Sequence, residues 1–104
     1  MAVTLSLRRP KRITLSGTAN NTTKVNLPAG ARRITIQFPV ADGKLGLDSS
    51  LSDDAAVGAE YLTCFAGQMY ELDWSGPELV PASSSDYLFL ASATSSAVVE
   101  VMAL

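Results

Sequence analysis

The stretch Arg32-Arg33-Ile34-Thr35-Ile36-Gln37-Phe38 sets Ile34, Ile36 and Phe38 against Arg33, Thr35 and Gln37, one apolar residue for every polar one. A period of two is the pattern of a strand with one face in a core and the other in water. The same alternation recurs upstream. Val3, Leu5 and Leu7 enclose Thr4 and Ser6; Ile13 and Leu15 enclose Thr14; Val25 and Leu27 follow Lys24 and enclose Asn26. Turn formers separate these runs at Arg9-Pro10, Gly17 to Asn21, Pro28 to Gly30 and Asp42-Gly43. Asp42-Gly43, lying between two strand-like runs, predicts a tight hairpin.

The second half is less regular. Ser49 to Asp54 reads as a polar loop, in which Ser52 or Asp53 is placed to cap one helical turn through Ala55-Ala56. Tyr61–Phe65 and Met69–Trp74 read as strands around a turn at Ala66-Gly67. Ser75-Gly76-Pro77 and Pro81 to Asp86 read as loops. Tyr87–Ala91 is continuously apolar, as expected of a strand covered on both faces. Ala97–Met102 carries Val98, Val99 and Val101 and leaves little for a solvent face. No segment has the pattern of a helix longer than about a turn. The expected fold is all-β: one β-sandwich domain over residues 1–104, jelly-roll-like, with about eight or nine short strands.

Charge is distributed unevenly. All eight Lys and Arg residues lie at or before Lys44, and nine of the ten Asp and Glu residues lie after it, a separation that the net charge of −2 conceals. Such a chain either closes its field internally or presents two complementary faces to copies of itself or to a larger scaffold. With 47% hydrophobic and only 17% charged residues, a domain of this size also fits a surface partly covered by partners. The single Cys64 excludes an internal disulfide framework. The apolar stretch Ala2–Leu7 is too short and too alternating for a secretory signal, and no run is long enough to span a membrane. A soluble protein made in a reducing compartment is expected.

The chemistry-bearing residues are few. Histidine is absent, which removes Ser-His and Cys-His nucleophiles and any His-containing zinc site. Asp53-Asp54 is the obvious carboxylate pair, but neighbours in a polar loop point apart and stay solvated. With Asp48 they lack the spacing and glycine of a calcium loop. No glycine-rich phosphate cradle is present. An enzyme is not expected, and neither is a cofactor or a metal. The densest basic cluster, Arg8, Arg9, Lys11 and Arg12, brackets Pro10. Single-strand binders interleave such residues with aromatic platforms, yet six of the seven aromatics lie in the acidic half. The cluster therefore reads either as a solvated turn or as a charged docking surface for protein, rather than as a grip on nucleic acid. Arg32-Arg33 at a strand entrance reads as a charged edge that blocks edge-to-edge aggregation. Trp74 reads as a tryptophan at the rim of the core, with a sugar platform shared with Tyr70 and Tyr61 as the alternative. Cys64 reads as a small buried hydrophobe.

Three segments, LPAGARRITIQF (Leu27–Phe38), SDDAAVGAEYLTC (Ser52–Cys64) and YLFLASATSSAVVEVM (Tyr87–Met102), together resemble small all-β virion accessory proteins of tailed bacteriophages. The resemblance covers most of the chain from Leu27 and is one of texture rather than of a diagnostic motif. It implies an oligomerising β-sandwich carried on the particle, as a capsid decoration (cement) protein or at the neck, tail or fibre. It also implies synthesis in the host cytoplasm and the major capsid protein as a partner, and it brings no catalytic residues. On this reading Arg8, Arg9, Lys11, Arg12, Arg32 and Arg33 dock an acidic neighbour. Tyr87, Phe89, Val99, Val101 and Met102 supply apolar contact between subunits of a homo-oligomer, a trimer being favoured.

Overall fold

A computed structural model of the chain describes residues 3–46, 55–58, 61–73 and 86–104. Within them the strands are β1 (Val3–Thr4), β2 (Lys11–Thr14), β3 (Thr23–Asn26), β4 (Arg33–Gln37), β5 (Gly43–Gly46), β6 (Leu62–Cys64), β7 (Met69–Asp73), β8 (Tyr87–Ala91) and β9 (Val98–Ala103). No helix occurs among the described residues. The strands form two sheets, ordered β1-β3-β8-β5-β6 and β2-β9-β4-β7. Four antiparallel pairs nest inside one another along the sequence: β5 with β6, β4 with β7, β3 with β8 and β2 with β9. The short β1 lies parallel to β3. The arrangement is all-β and sandwich-like.

Alternation decides which side chains enter the space between the sheets. Ile34 and Ile36 of β4, Val99, Val101 and Ala103 of β9, and Ile13 of β2 face Val25, Leu45, Leu88 and Leu90 of the other sheet in one buried cluster. Burying a branched aliphatic side chain contributes about 1.5–3 kcal/mol, so this cluster is the main source of stability. The continuous run of β8 has the expected consequence: Leu88 through Ala91 are all buried, and the strand is central, between β3 and β5. The predicted turn at Ala66-Gly67 is also present. Gly67 takes φ +80°, a region that favours glycine, within the link that carries the chain from β6 in one sheet to β7 in the other.

Two local expectations are corrected. Asp42-Gly43 is not a hairpin, because β4 and β5 belong to different sheets and the segment between them crosses from one to the other. Nor is β4 an edge: Arg33 enters a strand flanked by β7 and β9. The corner at residues 38–43 is fastened from several sides. The Phe38 carbonyl accepts from Gly67 N, the Asp42 carboxylate accepts from Ala66 N, and buried Ser92 donates its Oγ hydrogen to the Asp42 carbonyl at 2.7 Å. Ala56, expected in a helical turn, instead forms a β-bridge with Asn21, while its would-be caps Ser52 and Asp53 lie outside the described residues.

Candidate docking surfaces

The eight cations separate by what they touch. Arg12 is paired with Glu100 at 2.7 Å and Arg33 with Glu71 at 3.0 Å, both exposed pairs across neighbouring strands. Lys24 holds its ammonium 4.2 Å from the centre of the Tyr87 ring. Lys44 sits 4.6 Å from that of Tyr61 and donates to Asn20 Oδ1. Basic and acidic halves therefore do meet within the fold, and part of the charge asymmetry is closed there. The other four cations, Arg8, Arg9, Lys11 and Arg32, are exposed and form no ion pair among the described residues.

These four gather around the last turn of chain in the sheet β2-β9-β4-β7. Arg8 N donates to the Ala103 carbonyl on one side of β9, and Arg32 N donates to the Leu104 carbonyl on the other. Lys11 lies opposite Val101 on the edge strand β2. Arg8 keeps φ at +62°, a left-handed conformation that costs a side chain with a Cβ about 1 kcal/mol or more. Arg8, Arg9 and Lys11 thus make a basic flank of β2 and the crossover that leads into it, whereas Arg32 lies at the entrance of β4, on the other side of β9.

The opposite flank carries the edge strands β6 and β7 and has another character. Leu62, Phe65, Met69 and Val40 are exposed there, Met69 at 67% and Val40 at 87%. An open groove of about 270 Å³ runs between the two strands, floored by Leu45 and Cys64 and bordered by Leu62, Tyr70 and Leu72. Its carboxylates are Glu71 and Asp73 on β7, with Arg33 of β4 opposite Asp73 and ion-paired with Glu71. Periodicity gave no sign of this apolar cluster. Only the convergence of the β4–β5 crossover, β6 and β7 assembles it, although the exposed positions of a short edge strand such as Met69 could have been flagged.

The predicted apolar subunit contacts need correction. Phe89, Val99 and Val101 are 1%, 0% and 2% exposed within the single chain: Val99 and Val101 belong to the cluster between the sheets, and Phe89, which alternates with Leu88 and Leu90, is covered on the other face of β8. They have no surface to offer a second subunit. Met102 and Tyr87 are half-buried. Met102 alternates with Val101 and so lies on the outer face, at the rim of a depression of about 250 Å³ shared with Pro10 and Met69. Tyr87 stacks edge-on against Phe89 at 5.3 Å. The alternative sugar platform is not assembled by the described residues. Tyr70 packs on the core with its hydroxyl accepting from Phe65 N, Tyr61 lies beside Lys44, and Trp74 lies outside the described residues. Asp48, Asp53 and Asp54 lie outside them too. Among the described residues no three His, Cys, Asp or Glu side chains converge as metal ligands would.

Cys64 is buried, and its burial pushes the thiol pKa up. Little thiolate then exists near neutrality, so a thiol reagent at pH 8 is expected to label Cys64 roughly tenfold or more slowly in the folded protein than in denaturant. Equal rates would mean that the groove between β6 and β7 opens freely.

No protein-family model matches this chain, and no curated protein or solved structure is significantly similar to it.

Proposed function

We propose that this chain is a non-enzymatic structural protein of a tailed-phage virion, a homo-oligomeric jelly roll that decorates the capsid. The observation that carries the reading is the nesting of strand pairs. Setting β1 aside, the orders β2-β9-β4-β7 and β3-β8-β5-β6 are those obtained by rolling up one long hairpin whose tip is β5/β6. This order supports reading the fold as the double Greek key of a jelly roll, a topology common among viral capsid and lectin domains. Topology alone does not dictate function. The absence of histidine, the low charge and the exposed apolar groups Val40, Leu62, Phe65 and Met69 favour assembly over chemistry.

In this role the basic flank presents Arg8, Arg9 and Lys11, with Arg32 across β9, to an acidic neighbour on the shell. A homo-oligomer repeats that patch, so several weak contacts combine into one durable attachment. A sugar-binding attachment module is the weaker reading, because Lys24 and Lys44 already occupy positions over the rings of Tyr87 and Tyr61. The test is light scattering on the purified chain at low and high salt, together with mass spectrometry of particles of the phage that encodes it. A discrete oligomer, and the chain in fixed ratio to the major capsid protein, are expected. A monomer at both salts that is missing from the particles would overturn the proposal.

A further inference from the structure

We infer that β2 takes an acidic, extended segment of a neighbouring protein as an added strand, with that segment's carboxylates toward its C-terminal end. The inference rests on the docking reading above and adds how the neighbour is held. β2 ends its sheet and pairs with β9 alone. Bonding residues alternate along an antiparallel ladder, and Leu15 N donates to the Ala97 carbonyl. Ile13 and Lys11 therefore turn their backbone groups toward β9 in the same way, and Arg12 and Thr14 turn theirs to the open edge. That edge has fixed limits. Pro10, with no N–H to give, bounds it on one side. The Ser16 carbonyl, already accepting from Ser96 N, bounds it on the other. Between them, the N–H and C=O of Arg12 and of Thr14 have the spacing that strand addition uses.

Charge decides what can use the edge. Arg8, Arg9 and Lys11 are exposed beside it and form no ion pair among the described residues. A turn in which Arg9 N donates to the Ser6 carbonyl carries Arg8 and Arg9 just ahead of β2. Glu100, the sole carboxylate on β2 or β9, is taken by Arg12 at 2.7 Å. A charged edge keeps off like edges, so a second β2 is repelled while an acidic strand is drawn in. Neighbouring strands of this sheet are antiparallel throughout. A strand that continues the order runs against β2, and its C-terminal end comes level with Lys11 and the Arg8–Arg9 turn. A nucleic acid would meet the cations, but its phosphodiester backbone has no N–H for the Arg12 and Thr14 carbonyls. Residues 3–16 also hold no aromatic ring on which bases could stack.

The probe is a fluorescent peptide of about nine residues, alternating valine and threonine for strand propensity and ending in glutamates. It is titrated with the full chain at low salt, and binding is expected. Moving the glutamates to the other end, or N-methylating the amides that would face β2, should weaken binding about tenfold or more. Arg9→Gln/Lys11→Gln should do the same, whereas Arg32→Gln, across β9, should change it less than about twofold. Hydrogen exchange reads the contact itself. Saturating peptide should slow the Arg12 and Thr14 amides about tenfold or more and leave Ile13, already bonded to β9, unchanged.

No binding, equal affinity for both peptide polarities, or tighter binding of an oligothymidylate of matched charge overturns the inference. Should a variant fail to fold, the peptide comparisons on the wild-type chain decide. If the chain is missing from phage particles, the docking reading fails. If it sits on the particles but bound peptide leaves the Arg12 and Thr14 amides exchanging as before, strand addition is wrong while docking stands.

Discussion

Gly43→Ala should be the most damaging small substitution in the chain. A Cβ built on Gly43 falls inside the Phe38 ring, which is itself fully buried. Neither partner can yield easily. Gly43 opens β5 and is held in register opposite Cys64, and Phe38 fills the corner where the chain crosses between sheets. Overpacking a tight core costs about 1–3 kcal/mol and sometimes more; overlap with a ring belongs at the upper end. A loss of about 3 kcal/mol is a large part of the 5–15 kcal/mol typical of a domain, and it should lower the melting temperature by roughly 12–24 °C. Shrinking the ring with Phe38→Leu in the same chain should recover part of the loss, so the two changes together cost less than their sum. A Gly43→Ala protein that melts with the wild type would mean that the corner is not packed as described.

Phe89→Ala comes next, and it separates a core residue from a subunit contact. Phe89 is buried on a central strand, opposite Lys24 and Gly46, with the Tyr87 ring against its edge. Truncating such an aromatic costs about 3–5 kcal/mol. The denaturant midpoint should fall by a corresponding amount with the slope unchanged, and it should do so at concentrations low enough for the chains to be separate. A side chain used only between subunits would behave differently: dilute chains would keep their stability, and only the assembly would weaken. Unaltered stability of the dilute variant would return Phe89 to the interface that its sequence position first proposed.

Much of this molecule was legible before folding was considered, because period two is a local signal. Ile34, Ile36, Val25 and Ile13 declare which way they point by alternating with polar neighbours, and each is buried as that pattern requires. The continuous run Tyr87–Ala91 marked a central strand for the same reason. Gly67 marked its turn, since a positive φ is inexpensive only for glycine. Failures came wherever the answer depended on a distant partner. Asp42-Gly43 has the composition of a hairpin, but the nested pairing sends β4 and β5 to different sheets. Gly43 is there for its lack of a Cβ beside Phe38, a contact that no short window contains.

The candidate surfaces divide in the same way. The sequence alone determined that the charges are segregated along the chain, that the fold is built from strands, and that the usual histidine-based catalytic centres are missing. It could not determine which cations remain unpaired. Arg12 and Glu100 are separated by 88 positions and meet only because β2 lies beside β9. Arg33 is balanced by Glu71 only because β4 lies beside β7. Tertiary structure left Arg8, Arg9, Lys11 and Arg32 without an ion pair among the described residues, exposed Leu62, Phe65 and Met69 about the β6 and β7 edges, and buried Phe89, Val99 and Val101. The physical reason is the range of the interactions. The inward or outward direction of a side chain is fixed by the backbone of its own strand, whereas its neighbours are fixed by pairings between strands far apart in sequence, which many chains with the same alternation could arrange differently.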